Sequence, residues 1–305
     1  MKRSELLLNT IPYIILLSLI IAIYTDFSRR ISDEKQDMIQ NLALVESKVN
    51  SVTNHYISKM IGVTTYLSIH TEVDIEELNY FVHSVVHSDR NIISNIGVFK
   101  DTTAIYLYPY EANKSMLNIN LVEIPRFKEN ALRVKEDLDV VITPPDEVVQ
   151  GGIGIIITRL PIVLPNGSYW GQVGYMMKLD DIIKKLTLDL EKYKYLISQY
   201  NNYNSESHIV FDSGFKDNLF SEEVIVHLPS GFWRVQIGFF YGRKLVTPAF
   251  FIQIIIALIL FLLTKYTIFK LKEGKEKLSL IIDSIDSFIF VVNETGRLIT
   301  VNSPC

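Results

Sequence analysis

The sequence predicts an α+β protein built on a long N-terminal helix and flanked by two membrane-spanning helices. Three observations predict it. Residues 6–24 and 245–263 are uncharged apolar runs, each long enough to cross a hydrocarbon core of about 30 Å at about 1.5 Å per residue. A seven-residue apolar repeat follows the first run. After residue 90 the pattern changes to short β-prone segments bounded by Gly, Pro and Asn, the punctuation of strands and turns.

The first span covers residues 6–24, behind a short cytoplasmic N-terminus, residues 1–5. Its apolar run exceeds the usual signal-peptide core, and no A-x-A-like cleavage site follows it, so an uncleaved anchor is expected. The second span covers residues 245–264. Lys265, Lys270, Lys272, Lys275 and Lys277 follow it, whereas only Arg243 and Lys244 stand close before it. That asymmetry puts its C-terminal side in the cytoplasm. Two spans return the chain to the side it left, so residues 25–244 form an extracytoplasmic segment at the inner, cytoplasmic membrane.

Within that segment residues 26–68 read as one stalk helix. Ile31, Met38, Val45, Val52, Lys59 and Tyr66 are spaced by seven, as are Lys35, Leu42, Val49, Tyr56 and Val63. Nine of these 11 positions are apolar or aromatic. This is the seam of a coiled coil or of an amphipathic helix, serving a dimer or packing on its own domain. A core, residues 70–190, continues with a helix over 74–88 and strands over 92–99, 104–108, 154–158, 161–164 and 171–177. Helices are expected over 126–136 and 180–195. Asn166-Gly167 between two apolar runs marks a hairpin. A membrane-proximal part, residues 191–244, adds strands over 208–212, 223–228 and 233–239. Past the second span, Ile268, Leu271, Lys275, Leu278, Ile282 and Ile285 form a short coiled-coil seam within residues 265–285.

Composition excludes several classes. The 305 residues carry 30 Lys+Arg against 34 Asp+Glu, a net charge of −4, so no basic nucleic-acid surface is expected. The mean hydropathy of +0.21 fits a partly membrane-embedded chain. The single cysteine, Cys305, excludes intrachain disulfides and thiolate metal sites.

The order of residues in the middle of the chain carries a resemblance. Tyr108-Pro109-Tyr110-Glu111-Ala112-Asn113 is followed by Leu121, Pro125, Ala131-Leu132 and Pro144-Pro145. Val149-Gln150-Gly151-Gly152-Ile153-Gly154 then precedes Arg159-Leu160-Pro161-Ile162 and Trp170-Gly171-Gln172-Val173. Over residues 96–186 this resembles the CHASE domain, an extracytoplasmic sensor of receptor kinases and cyclases. The resemblance implies a long helix carrying two PAS-like subdomains, the outer one holding a small ligand. It also implies a histidine kinase output, or a diguanylate cyclase or phosphodiesterase. Many bacterial members have Gly-x-Asp-Leu where this chain has Asn118-Ile119-Asn120-Leu121. In hormone-binding members the matching Asp contacts the ligand; Asn120 keeps donor and acceptor but loses the charge. Residues 286–305 resemble the opening of a cytoplasmic PAS domain, cut short, which reads as an N-terminal fragment.

Chemistry is sparse. His83 and His87 lie four apart on a helix, the spacing that brings two imidazoles to one metal, with no third ligand in sight. No nucleophile elbow, phosphate loop, kinase histidine box or cyclase signature is present. The sequence therefore predicts a non-catalytic chain without cofactor or metal, acting as a homodimer in the membrane. The ligand-binding residues it points to are Tyr108, Asn120, Thr143 and Gly154. Tyr108 and Gly154 lie on expected strands, Asn120 matches the family's contact position, and Thr143 precedes the Pro144-Pro145 bend. A membrane-anchored adhesion or structural protein is the competing reading.

Overall fold

The computed structural model describes residues 2–72, 74–148, 152–202, 207–217, 219–239, 248–284, 290–293, 295 and 298–301. The chain divides into two units, one of Met1–Asp33 with Tyr241–Cys305, the other of Glu34–Phe240.

In the first unit, helix α1 (Lys2–Ile69) contributes its opening turns and helix α6 (Pro248–Asp283) its whole length. The two run antiparallel. Lys272 donates to Asn9 at 2.7 Å, Tyr13 meets Phe261 edge-on at 5.9 Å, and Phe27 lies 5.7 Å from Phe250. Stretches of both helices are long and apolar enough to cross a membrane, and two of them flank the rest of the chain. A hairpin, β11 (Phe290–Val292) with β12 (Leu298–Val301), follows. Residues 245–247 of the expected second span, Ile285 of the inner seam and part of the expected PAS opening lie outside the described residues.

The second unit takes up α1 from Glu34. The stripe Met38, Leu42, Val45, Val49, Tyr56, Met60, Val63 and Leu67 is buried. The expected sevens hold at first and then slip: Lys59 and Tyr66 give way to Met60 and Leu67. A straight helix drifts by about 20° per heptad against a strict seven-residue repeat, so its buried stripe must step back once over this length. The seam is consumed by the domain's own packing. Val52 and Thr53 face Tyr175, Ile182 and Trp233, and Tyr66 stacks on Phe81 at 4.5 Å. Helix α2 (Ile75–Val86) starts at Asp74, whose carboxylate accepts from the amides of Glu76 and Glu77, the usual satisfaction of a helix N-terminus.

The first sheet has the order β2-β1-β6-β5-β3, with β4 also on β5, and every pairing is antiparallel. Its strands are β1 (Ile93–Lys100), β2 (Thr103–Tyr108), β3 (Val141–Ile142), β4 (Asp146–Val148), β5 (Gly152–Val163) and β6 (Tyr169–Lys178). The sequence splits β5 into two strands at Pro161, yet the strand is continuous. Pro161 pairs with β6 on one side, while β3 ends opposite Arg159 on the other. Its missing N–H therefore costs the ladder nothing. Between β2 and β3 lie α3 (Tyr110–Asn113), two short helical turns (Lys114–Met116 and Leu121–Glu123), and α4 (Pro125–Asp137) with Pro125 in its first turn.

The helix expected over 180–195 is shorter. Helix α5 (Leu179–Leu186) stops at Thr187, which takes a left-handed conformation at φ 49°. Strand β7 (Lys194–Asn201) follows, burying alternate residues Tyr195, Ile197 and Gln199. The second sheet has the order β8-β7-β10-β9, again antiparallel. Its other strands are β8 (Ser207–Asp212), β9 (Phe220–Leu228) and β10 (Gly231–Phe239). Tyr193, just before β7, donates to Asp37 of α1 at 2.9 Å.

Candidate ligand-binding site

The two faces of the first sheet differ in kind, and the alternation of its strands explains why. Val98, Tyr106, Leu160 and Val173 stand in register across four strands and are buried on one face. Tyr106 there donates to Asn79 of α2 at 2.9 Å. The opposite face carries Gly97, Phe99, Leu107, Arg159, Gly174 and Met176, and α4 with its preceding turns covers it. A cleft of about 90 Å³ lies between the two layers.

Two glycines shape its floor. Gly97 of β1 pairs directly with Gly174 of β6, and Gly174 pairs with Arg159 of β5. A β-carbon on Gly97 would come within 2.6 Å of the Phe99 ring, and one on Gly174 within 3.1 Å of the Arg159 guanidinium. Close packing of this kind is what strand glycines supply. Met116, Ile119, Leu121 and Ile124 form the roof with Phe127 of α4.

Arg159 dominates the chemistry. It is 2% exposed. Its guanidinium carbon lies 5.7 Å from the Phe99 ring centre and 5.4 Å from that of Phe127, within cation–π range. Its Nε is buried without a hydrogen-bond partner, and no ion pair to it occurs among the described residues. Burial pulls its pKa down to about 10, which leaves it a cation at neutral pH. A buried cation without a counter-ion among the described residues is unusual, because isolated charge is costly to desolvate.

A second, more polar cleft of about 280 Å³ lies between α4, β3 and the second sheet. Arg126, Arg133, Thr143, Asn201 and His208 line it. Several of its polar groups are satisfied within the chain. Arg133 bonds Glu129 at 2.5 Å, the Thr143 hydroxyl donates to the Ile157 carbonyl at 3.1 Å, and Ser230 bonds the Ile142 backbone. The cleft at Arg159 is thus the stronger candidate.

The four residues expected at the site do not meet. Tyr108 ends β2 with its ring 6.4 Å from His83. Asn120 does local work: its Oδ1 accepts from the Thr102 hydroxyl at 2.8 Å and from the Val122 amide at 3.1 Å, capping the turn whose neighbours Ile119 and Leu121 reach the cleft. Thr143 lines the larger cleft. Gly154 lies in β5, several residues before Arg159, and Gly151 lies outside the described residues. His83 and His87 sit 5.9 Å apart between ring centres, with His83 bonded to Arg90. Sequence reasoning missed Arg159, Gly97, Gly174 and Phe127. One signal was there: Arg159 is the sole charge between Glu147 and Lys178, set in an apolar strand.

No family model matches the chain, and no curated protein matches it. Solved structures do. An extracellular ligand-binding receptor from Desulfohalobium retbaense DSM5692 matches with TM-score 0.53 at 12% identity, over 67% of this chain and 40% of that one. The periplasmic sensory domain of the Campylobacter jejuni chemoreceptor Tlp1 matches with TM-score 0.50 at 11% identity, over 70% of this chain and 98% of that one. The ligand-binding domain of the Pseudomonas fluorescens chemoreceptor CtaA, solved with L-serine, matches with TM-score 0.50 at 11% identity, over 68% and 96%. The fold resembles that of these ligand-binding and sensory domains. This chain spans less than half of the first of these receptors.

Proposed function

We propose that this chain is the sensory and membrane-spanning part of a receptor. It binds a small ligand outside the cytoplasm, in the cleft under α4, and passes the event through its helices to a cytoplasmic output. The observation that carries this reading is the cleft itself: a buried Arg159, without an ion pair among the described residues, lining an apolar hollow in a sensor-type fold. Small-ligand pockets combine apolar walls with a few placed polar groups in this way. The chemoreceptor relatives of the fold, one solved with L-serine, support the same role. The order of residues 96–186 favours the CHASE type among such sensors. A homodimer paired along Ile268, Leu271, Leu278 and Ile282 would carry the signal inward, to a histidine kinase or, as the second choice, a diguanylate cyclase or phosphodiesterase. A ligand can shift such an equilibrium only by its differential affinity for the two states.

The test is a thermal-unfolding screen of the full chain in lipid nanodiscs against a library of small metabolites. At least one compound should raise the unfolding temperature, and Arg159→Gln should remove that rise. A library without a single stabilising compound overturns the receptor reading in favour of an adhesive or structural role.

A further inference from the structure

The chemistry of the cleft narrows the ligand class, given the receptor reading above. Arg159 is the one charged side chain lining it, and Asn95 the one other polar side chain. No Asp or Glu lines it. Everything else there is aliphatic, aromatic, Met or Gly.

A guanidinium offers a planar fork of N–H donors that matches a carboxylate bidentately. With the Phe99 and Phe127 rings against the guanidinium, such a pair gains strength from the low local dielectric. A phosphate or sulfate would carry further oxygens into walls whose one other side-chain donor is the Asn95 amide, and unmade hydrogen bonds are expensive. An α-amino acid would bring an ammonium group as well. Without an acidic partner in the lining, that ammonium would be buried at a penalty. A neutral ligand would leave Arg159 as it stands. Size sets the last limit. Since an apolar cavity of about 150 Å³ takes benzene, one of about 90 Å³ suits a ligand of roughly four non-hydrogen atoms, the size of the smallest carboxylates.

We propose that the cleft binds a short-chain monocarboxylate, its carboxylate on the Arg159 guanidinium and its alkyl body over Gly97 and Gly174 beneath Phe127. The bound species is the anion, so affinity falls as pH drops through the pKa of the acid itself.

The experiment is calorimetric titration of the full chain in nanodiscs with three probes of one skeleton: propionate, L-alanine and propionamide. Propionate should bind saturably. L-Alanine and propionamide should bind more weakly by roughly tenfold or more. Arg159→Gln should weaken propionate by roughly ten- to a hundredfold. Gly174→Ala, which keeps the charge and narrows the floor, should weaken propionate more than acetate. L-Alanine binding as tightly as propionate overturns the ligand class and leaves the receptor reading intact. So does an Arg159→Gln chain that binds propionate unchanged, or a library compound of another class that binds where propionate does not. Failure of the whole library removes both.

Discussion

Ile142 and Ser230 fasten the two sheets of the sensor to each other. The Ile142 amide donates to the Ser230 hydroxyl at 2.8 Å, and that hydroxyl lies 3.3 Å from the Ile142 carbonyl. Gln199 donates to the same carbonyl at 3.1 Å and accepts from the Trp233 indole, also at 3.1 Å. Ile142 in turn pairs with Thr158, next to Arg159 on β5. A displacement of β5 at the cleft thus reaches β7 and β10 through buried hydrogen bonds. Ser230→Ala strands the Ile142 amide, at a cost of about 1–3 kcal/mol. Hydrogen exchange in β7 and β10 should lose its response to ligand in this variant while binding persists. An unchanged response removes this contact from the relay.

Arg159→Met should stabilise the protein while abolishing binding. An unpaired buried charge is costly to desolvate; Met removes that cost and retains the packing of the Arg stem. For a domain of this size each kcal/mol moves the unfolding temperature by about 2–4 °C. Differential scanning calorimetry decides the sign. A fall of several degrees would mean that Arg159 is chiefly a structural residue.

Asp89 ties α1 to the end of α2. It bonds Lys59, lies 3.2 Å from His55 and accepts from Ser88 at 3.0 Å. Desolvation by burial works to raise its pKa, but the hydrogen bonds from Lys59, His55 and Ser88 outweigh it and hold the carboxyl below its ordinary value. A carboxyl whose folded pKa lies under its unfolded one, about 3.9, adds stability above that value and loses it as pH falls through the folded pKa. Acid unfolding below about pH 4 should therefore include Asp89. Asp89→Asn should be less stable at pH 7 and should show a shallower loss in acid, read from urea midpoints across pH.

Cysteines placed singly along α6 after Lys265 should cross-link between chains with a period of three to four residues if the inner helix pairs. Leu271 and Leu278, both exposed within this chain, should give the strongest products and Lys272 and Gly274 weak ones. Uniform cross-linking along the helix would argue for collision, not for a coiled coil.

Much of the fold was legible because it rests on local signals. The apolar runs, the helices expected over 74–88 and 126–136 and the Asn166-Gly167 turn, with Gly167 at φ 85°, each depend on neighbours in sequence. Strand β7 was misread because Asp180 to Leu186 opens a true helix, and only the left-handed Thr187 stops it. The site was legible only in part, since it is made by register. Arg159 and Gly174 face each other across the β5–β6 hairpin, but Gly97 comes from a distant part of the chain and meets them only when β1 aligns with β6. Asn120 drew notice for its place in a motif, and its Oδ1 is engaged locally by Thr102 and Val122.

The paired glycines at 97 and 174 act as a ruler. They lie on adjacent central strands in direct register, so their mark is fixed by the sheet and does not move with any loop. Each added methyl would shorten the room for the alkyl body by about one carbon, and one methylene of misfit is worth about 1–3 kcal/mol in discrimination. A single substitution at 174 would therefore re-tune such a cleft along a homologous series of acids, whereas one at 97 would also displace the Phe99 ring.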